Sequence, residues 1–434
     1  MSTAPAPPAA PAGSSRRELL GDGRFQRLLV ARTVSMLALA FAPVALAFGV
    51  LALPGASAST LSAVIAASTV PLVLLTLAGG VVADRYRRDL VLRTSEWMSA
   101  AVYLGLGAML VSGRAPLWGL LALSGLSGVA AALVWPALTG IIPDVVPADA
   151  LQDGNAVLGL AGNIARIGGL VCGGILVVAV GAGWALVGAG LCFLLSGALL
   201  STLHLPPTPA RASAPSVWRD LRQGWGEFRS RTWLWVVVLE FSVILMVWQA
   251  AHLVLGPFVA EHELGGASTW TTYLVVEAVG LIIGGLTAMR WHPARPILAV
   301  AVLSLFAAPP YLALGLSAPL AVVLAGSFGI GFAFELLNVL WQTTMQREIP
   351  AESLSRVSSY DALGSLALGP IGVVLAGPAA DRWGPHLPLV VCGVVMLLSG
   401  LATLAVPGVR NLRVRDTPVV EDHSTSATAA RGSS

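Results

Sequence analysis

Residues 28–53 read LLVARTVSMLALAFAPVALAFGVLAL, an apolar run of 26 residues. A membrane-spanning helix needs about 20 mostly apolar residues, so this run is long enough to cross a bilayer. It is also longer than the apolar region of a cleavable signal peptide, which is about 7–15 residues. We therefore expect the run to stay in the protein as its first membrane-spanning helix.

The composition of the whole chain gives the same indication. Its 434 residues are 56% hydrophobic and 11% charged, and the mean hydropathy is +0.81. Soluble proteins carry about 25% charged residues, so the composition excludes an ordinary soluble, disordered or disulfide-rich secreted protein. The basic residues are not gathered on one face, so no nucleic-acid partner is predicted. The three cysteines lack metal-ligand spacing, and no phosphate loop, nucleophile elbow or His-Glu-x-x-His is present. We expect no metal, no cofactor and no enzyme activity.

Twelve apolar segments follow one another along the chain. Their approximate spans are 28–53, 58–83, 90–112, 116–142, 152–180, 183–204, 232–256, 268–289, 296–315, 319–345, 355–380 and 386–407. They predict an all-α membrane protein with two six-helix halves, 28–204 and 232–407. A Pro- and Arg-rich cytoplasmic linker, 205–231, joins the halves. The remaining segments, 1–27 and 408–434, are predicted to be disordered cytoplasmic tails.

Arginine placement predicts the orientation in the membrane. With the amino terminus inside, 22 of the 25 arginines fall in cytoplasmic regions or close to the cytoplasmic ends of the spans, and the chain has no lysine. Positive residues accumulate in cytoplasmic loops, so both termini are predicted to be cytoplasmic, in the inner or plasma membrane. Tryptophans near the segment ends fit anchors at the two lipid–water interfaces. They are Trp118, Trp184, Trp270 and Trp383 outside and Trp233, Trp235 and Trp291 inside.

Two pairs of similar loops relate the halves. Pro147-Ala-Asp-Ala-Leu151 follows the fourth segment, and Pro350-Ala-Glu-Ser-Leu354 follows the tenth. Gly79-Gly80-Val-Val-Ala-Asp84-Arg85-Tyr86 follows the second, and Gly284-Gly285-Leu-Thr-Ala-Met289-Arg290-Trp291 follows the eighth. The offsets are 203 and 205 residues. Repeats of this kind indicate a transporter built from two related halves.

The loop Gly80-x-x-x-Asp84-Arg85-x-x-Arg88 resembles the signature loop of the major facilitator superfamily. The stretches 142–156, 163–168 and 346–356 are similar to the enterobactin-exporter-like and macrolide-efflux-like branch. The resemblance implies the twelve-helix major facilitator fold. It also implies that Asp84 caps the start of the eleventh helix and acts as a conformational latch, and that Arg85 and Arg88 could pair with acids such as Glu96. The alternative is that these charges only keep the loop in the cytoplasm.

The sequence departs from the family pattern in two places. Arg87 replaces the usual second glycine of the signature loop. In the fifth helix, Gly169-Leu170-Val-Cys-Gly173-Gly174 keeps the glycines of the drug-exporter motif but lacks its proline. The second departure keeps an importer or uniporter open as an alternative to an exporter.

Polar residues inside the spans are the candidate site. On the tenth helix, Glu335, Asn338, Gln342 and Gln346 recur at i, i+3, i+7 and i+11, which puts them on one stripe. A polar stripe in a membrane helix faces water or protein, because lipid cannot solvate it. We interpret Glu335 as a proton-titrating carboxylate, and a fixed hydrogen-bond network is the alternative.

The other candidates lie on the fifth, seventh and eighth helices. Arg166 needs a counter-charge from Glu335 or Glu277, and its role is either structural pairing or coupling to substrate or proton. The remaining members of the predicted cavity are Glu240 and Asn163. We expect Asp361 to be a first-turn residue of the eleventh helix and His252 an interface residue.

These observations predict a secondary transporter that exports a hydrophobic or amphipathic small molecule, such as a drug, siderophore or natural product, in exchange for protons. Its expected partners are the substrate and membrane lipids, with the chain acting as a monomer. An importer or uniporter on the same fold, a non-transporting membrane sensor and, more weakly, a lipid flippase are the alternatives.

Overall fold

The structure, a computed structural model, describes residues 16–85, 87–147, 150–203 and 225–412. Within them, twelve helical segments are arranged as two groups of six. In the first half they are α1 (Gly23–Leu51), α2 (Ala58–Arg85), α3 (Arg88–Val111), α4 (Leu117–Val145), α5 (Leu151–Val180) and α6 (Ala182–Ser201). In the second half, α7 comprises Thr232–Gln249, Ala250–Leu255 and Gly256–Glu263, and α8 is Ala267–Ala288. It continues with α9 (Pro296–Ser304, Leu305–Ala307, Pro309–Gly315), α10 (Leu320–Glu348), α11 (Ala351–Ala367, Gly369–Trp383) and α12 (His386–Ala405).

Eleven of these segments are long and apolar enough to cross a membrane within the described residues. The twelfth, α3, has charged residues in its first three turns, and it lies among α1, α2, α4 and α6. The fold class predicted from the sequence is therefore confirmed. Protein neighbours rather than lipid surround the charged side chain of Glu96, which is 1% exposed.

The predicted amino-terminal tail differs from the structure in its last residues. A short helix, Arg16–Gly21, precedes α1, and α1 begins at Gly23 instead of residue 28. The Asp22 side chain accepts a hydrogen bond from the Arg24 backbone N–H at 2.7 Å. This N-cap satisfies a free donor at the helix start and explains the earlier beginning. At the end of the predicted linker, residues 225–230 are also helical.

Matching contacts in the two halves support the internal repeat. A Cβ added at Gly107 on α3 would lie 2.7 Å from the side chain and 2.8 Å from the backbone nitrogen of Val187 on α6. One added at Gly315 on α9 would lie at the same two distances from Val390 on α12. Glycine at each position permits backbone-to-backbone contact between the third and sixth helices of its half.

The two halves meet on one side of the molecule. We call the side where α1 begins the tail side and the opposite side the far side. Near the far side, Gly377 of α11 contacts the start of α2, and Gly174 of α5 contacts Thr271 of α8. Toward the tail side, polar residues of α5 and α10, among them Asn155 and Gln346, are exposed. The space between the halves is therefore closed at the far side and open at the tail side.

The tryptophans fit the interface prediction only in part. Trp118, Trp184 and Trp383 are more than half exposed, as anchors in the interface should be. Trp270 and Trp233, in contrast, are 3% and 7% exposed. Trp270 packs inside the protein because it stacks on Tyr273, with ring centroids 4.5 Å apart and planes 6° apart.

A candidate transport cavity between the two halves

A cavity lies between α5 of the first half and α7, α8, α9 and α10 of the second. It contains about 1120 Å³ of empty space, including its opening. Most of its wall is apolar, with aromatic side chains from Phe241, Trp248 and Phe334. The polar groups on the wall are Arg166, His252, Glu277 and Ser304. A largely apolar cavity with a few polar groups is typical of a small-molecule site.

Glu277 on α8 is the acid on this wall. Its side chain is 16% exposed, and its Oε2 atom has no hydrogen-bond partner within the described residues. Arg166 lines the same cavity from the other half, and its charge acts on the Glu277 carboxylate. Of the two counter-charges considered for Arg166, Glu277 lines the same cavity, whereas Glu335 is not among the residues that line it.

His252 on α7 lies on the other side of Glu277, with its Nδ1 atom 3.9 Å from Oε2. The same nitrogen is 3.0 Å from the hydroxyl of Tyr311 on α9, and the imidazole stacks on Trp248 at 4.5 Å. The residue is buried rather than at the membrane interface, which corrects the prediction made from its position in the sequence.

His252 lies in a short segment of α7 where the helix geometry changes. Residues Ala250–Leu255 form a π-helix, and Pro257 lies two residues after its end. Proline has no backbone N–H, so the carbonyl one turn before it loses its helical partner, and the turn can widen to the i→i+5 pattern. Such π-helical turns occur frequently at functional sites.

The polar stripe of α10 is present, but it lines a neighbouring pocket, which shares Phe241, Phe334 and Leu337 with the central cavity. Asn338 and Gln342 are exposed and line a smaller pocket with Trp341 and Asp361. The Trp341 Nε1–H donates a hydrogen bond to Asp361 Oδ2 at 3.2 Å. Glu335 is half-buried beside α8, where a Cβ added at Gly285 would lie 3.5 Å from its Cγ. The structure does not bring the stripe together with Glu277.

The fifth helix contributes both polar and small residues. Asn163 and Arg166 are exposed, and Arg166 lines the central cavity. A Cβ at Gly169 would lie 2.6 Å from the Leu37 carbonyl oxygen of α1, and one at Gly173 would lie 2.1 Å from the Phe41 side chain. These two glycines of the helix 5 motif permit close packing of α5 on α1, whereas Gly174 faces the other half.

Glu240 on α7 lies behind the cavity wall. It is 3% exposed, and the Ser304 hydroxyl donates to its Oε1 at 2.5 Å, while its Oε2 is unpartnered within the described residues. Ser304 itself lines the cavity. Glu240 is thus connected to the cavity through one hydroxyl group rather than exposed in it.

One buried ion pair was not predicted from the sequence. Arg32 on α1 lies 3.6 Å from Glu96 on α3, with side chains 6% and 1% exposed, and Ser35 donates to the same carboxylate oxygen at 2.9 Å. Among the described residues, the arginine that pairs with Glu96 is Arg32; the side chains of Arg85 and Arg88 lie outside the described residues. The available signal was that Arg32 lies inside the first apolar run, where a charge needs a partner.

The side chains of the signature loop fall outside the described residues. This applies to the predicted switch residues Gly80, Asp84, Arg85 and Arg88. Their backbone places Asp84 in the last turn of α2 and Arg88 at the start of α3. The latch inferred for Asp84 remains a prediction.

Two six-helix halves around a cavity that is closed at one side define a membrane transporter. The sequence model of the Major Facilitator Superfamily matches residues 28–370. The chain belongs to this superfamily and is a multi-pass membrane transporter, not an enzyme.

Curated relatives include exporters. The chain is 27% identical over 387 residues to the multidrug efflux pump Tap of Mycolicibacterium fortuitum, covering 83% of this chain and 90% of Tap. It is 26% identical over 337 residues to the enterobactin exporter EntS of Shigella dysenteriae, covering 74% of this chain and 79% of EntS.

Solved structures share the fold. The nucleoside transporter NupG superposes with a TM-score of 0.70 at 11% identity, covering 88% of this chain and 99% of NupG. A bacterial homologue of the human lysosomal transporter Spinster gives 0.64 at 15% identity, covering 92% of this chain and 98% of the homologue.

Proposed function

We propose that the chain is a proton-coupled exporter of a hydrophobic or amphipathic small molecule, and that Glu277 exchanges the proton. The observation that carries the proposal is the Glu277 carboxylate, with one unpartnered oxygen, on the wall of an otherwise apolar cavity. Ionisable residues inside a membrane protein mark substrate or proton pathways by default. The exporter relatives Tap and EntS support the direction.

The geometry suggests how exchange would be coupled. A substrate in the cavity contacts Phe241, Trp248 and Phe334 and lies beside Glu277. Exchange requires that substrate and proton do not occupy the site together, so the substrate must bind better to the ionised carboxylate. Arg166 on the opposite half supports that ionised form, and rocking of the halves would change its distance from Glu277.

The arginine distribution supports the orientation. With the tail side in the cytoplasm, the open cavity accepts substrate from inside the cell, and the closed far side faces outward. The protein would act as a monomer in the inner or plasma membrane, surrounded by lipid. The proton gradient would supply the energy, and no cofactor would be needed.

Transport in everted vesicles tests the proposal. The vesicles receive an acid interior, a pH-quenched dye, and in turn tetraphenylphosphonium, erythromycin, a catecholate siderophore and a neutral amphiphile. We expect one compound to dequench the dye with the native protein but not with Glu277→Gln. The matched control is Glu335→Gln, an acid that does not line the central cavity, which should retain dequenching. Loss with Glu335→Gln alone would assign the proton to the α10 stripe instead.

Leu170 supports the alternative of an importer or uniporter. It lines the cavity at the position where the drug-exporter motif has proline. In that case flux would run without proton movement, or with protons moving together with the substrate. Ligand binding without flux would instead indicate a sensor.

A further inference from the structure

The far side is closed by a contact between α2 and α11, which belong to different halves. The Asp381 carboxylate, two residues before α11 ends, points at the first turn of α2. Its Oδ2 accepts hydrogen bonds from the Ser57 hydroxyl at 3.1 Å and from the Ser59 backbone N–H at 3.3 Å. The start of a helix has unpaired N–H groups and a partial positive charge, both of which favour a carboxylate.

The packing around this contact is close. A Cβ added at Gly377 would lie 2.5 Å from the Ser59 Cα and 2.7 Å from the Ala58 carbonyl oxygen. The Ser62 hydroxyl donates to the Val373 carbonyl oxygen at 2.6 Å. The two helices therefore touch at their backbones, and opening the far side must break all of these interactions together.

The sequence around Asp381 repeats that at the other end of α2. Ala380-Asp381-Arg382-Trp383 ends α11 on the far side, and Ala83-Asp84-Arg85 ends α2 on the tail side, with Tyr86 next in the sequence. Arg382 lies over the Trp383 ring, with 5.5 Å between the guanidinium carbon and the ring centroid. Its guanidinium can thereby turn toward the membrane surface, while the Asp381 carboxylate faces α2.

We propose that Asp381 is a far-side latch, a positioning residue that stabilises the tail-side-open state of the transport cycle by capping α2 across the two halves. The proposal rests on the proposed function in one respect only: the proposed membrane orientation decides that the tail side faces the cytoplasm and the far side faces outward. The energetic effect is that of a helix cap, so losing it should shift the balance of the two states about fivefold, which corresponds to a typical cap of about 1 kcal/mol.

Cysteine labelling from both sides tests the latch without substrate or proton gradient. In a background with Cys172, Cys192 and Cys392 replaced, Ala58→Cys places a fully buried thiol in the far-side contact. Asn338→Cys, in a separate protein, places an exposed thiol on the open side. Labelling rates with an impermeant maleimide are measured in right-side-out and everted vesicles respectively.

We expect Asp381→Ala to raise labelling at residue 58 about fivefold and to lower labelling at residue 338. Asp381→Asn should have a smaller effect, because its amide oxygen can still accept both hydrogen bonds. Glu263→Ala is the matched control. Glu263 is a far-side acid 3.0 Å from His386, but both residues belong to the second half. That variant should change neither rate.

Three results would overturn the latch. They are unchanged labelling at residue 58 in Asp381→Ala, an equal rise in Glu263→Ala, and a rise at both reporters, which indicates general loosening. If Asp381→Ala does not fold, Ser57→Ala, which removes the hydroxyl that donates to Asp381, provides the comparison, with the same expected directions at residues 58 and 338. Because transport is not measured, failure of the latch and failure of proton-coupled export give separate results.

Discussion

Breaking the buried ion pair of the first half should destabilise it far more than neutralising the buried acid of the second half. Arg32 and Glu96 lie 3.6 Å apart and are almost completely buried. At this distance and an effective dielectric of about 20, their attraction is about 5 kcal/mol. Removing one partner leaves an uncompensated buried charge, which typically costs about 3–5 kcal/mol.

Arg32→Met should therefore lower the melting temperature by about 10 °C, if the first half unfolds as one unit of about 180 residues. The double variant Arg32→Met with Glu96→Gln should recover most of this loss. It removes both charges, and the Ser35 hydroxyl can still donate to the amide oxygen in place of the carboxylate. Thermal unfolding of the purified protein in detergent, followed by thiol-reactive dye fluorescence, measures both shifts.

Glu240→Gln is the matched control in the second half. Glu240 is equally buried, but its described hydrogen bond comes from the neutral Ser304 hydroxyl. An amide oxygen can accept the same bond, so the melting temperature should change by no more than about 3 °C. Two results would contradict this prediction. One is that the losses of melting temperature of Arg32→Met and Glu96→Gln, measured singly, add up in the double variant. The other is that Glu240→Gln is as destabilising as Arg32→Met.

Three further changes follow from the packing and the cavity. Gly174→Val should favour the far-side-open state, seen as faster far-side thiol labelling, because even a Cβ at this position would overlap Thr271; unchanged labelling would refute this. Gly280→Ala should lower the melting temperature by about 5 °C, because the added Cβ would lie 2.3 Å from an α10 carbonyl oxygen. Gly285→Ala is the control and should be tolerated, because the nearest atom would lie 3.5 Å from its Cβ. His252→Phe keeps a flat ring but loses the hydrogen bond to α9, so the transport rate should fall about fivefold; a native rate would remove His252 from the cycle.

The fold was predictable because the bilayer imposes a strong signal on the sequence. Long apolar segments and repeated loops identified twelve helices in two halves, and the structure and the family confirm both. The start of α1 was placed too late because residues 23–27 are mostly polar and the cap made by Asp22 is what shows that the helix begins there. Hydropathy cannot detect a cap that lies in a polar segment.

The candidate site was less predictable because it depends on how the helices are rotated against each other. Periodicity placed Glu335, Asn338 and Gln342 on one face, but it could not say which cavity that face meets. His252 and Trp270 have the positions of interface residues, and only the stacking around them shows that they are buried. The pairing of Arg32 with Glu96 was not predicted, since the two residues are 64 positions apart in the sequence.

The buried polar residues of the two halves occupy related places but differ in charge. Arg32 and Glu96 are 64 residues apart, as are Glu240 and Ser304, and each pair joins the first helix of its half to the third. In the first half both members are charged and neutralise each other. In the second half the acid faces a hydroxyl that also lines the cavity. A change of charge in the cavity can therefore reach Glu240 through Ser304, whereas the first half holds its charges in a closed pair.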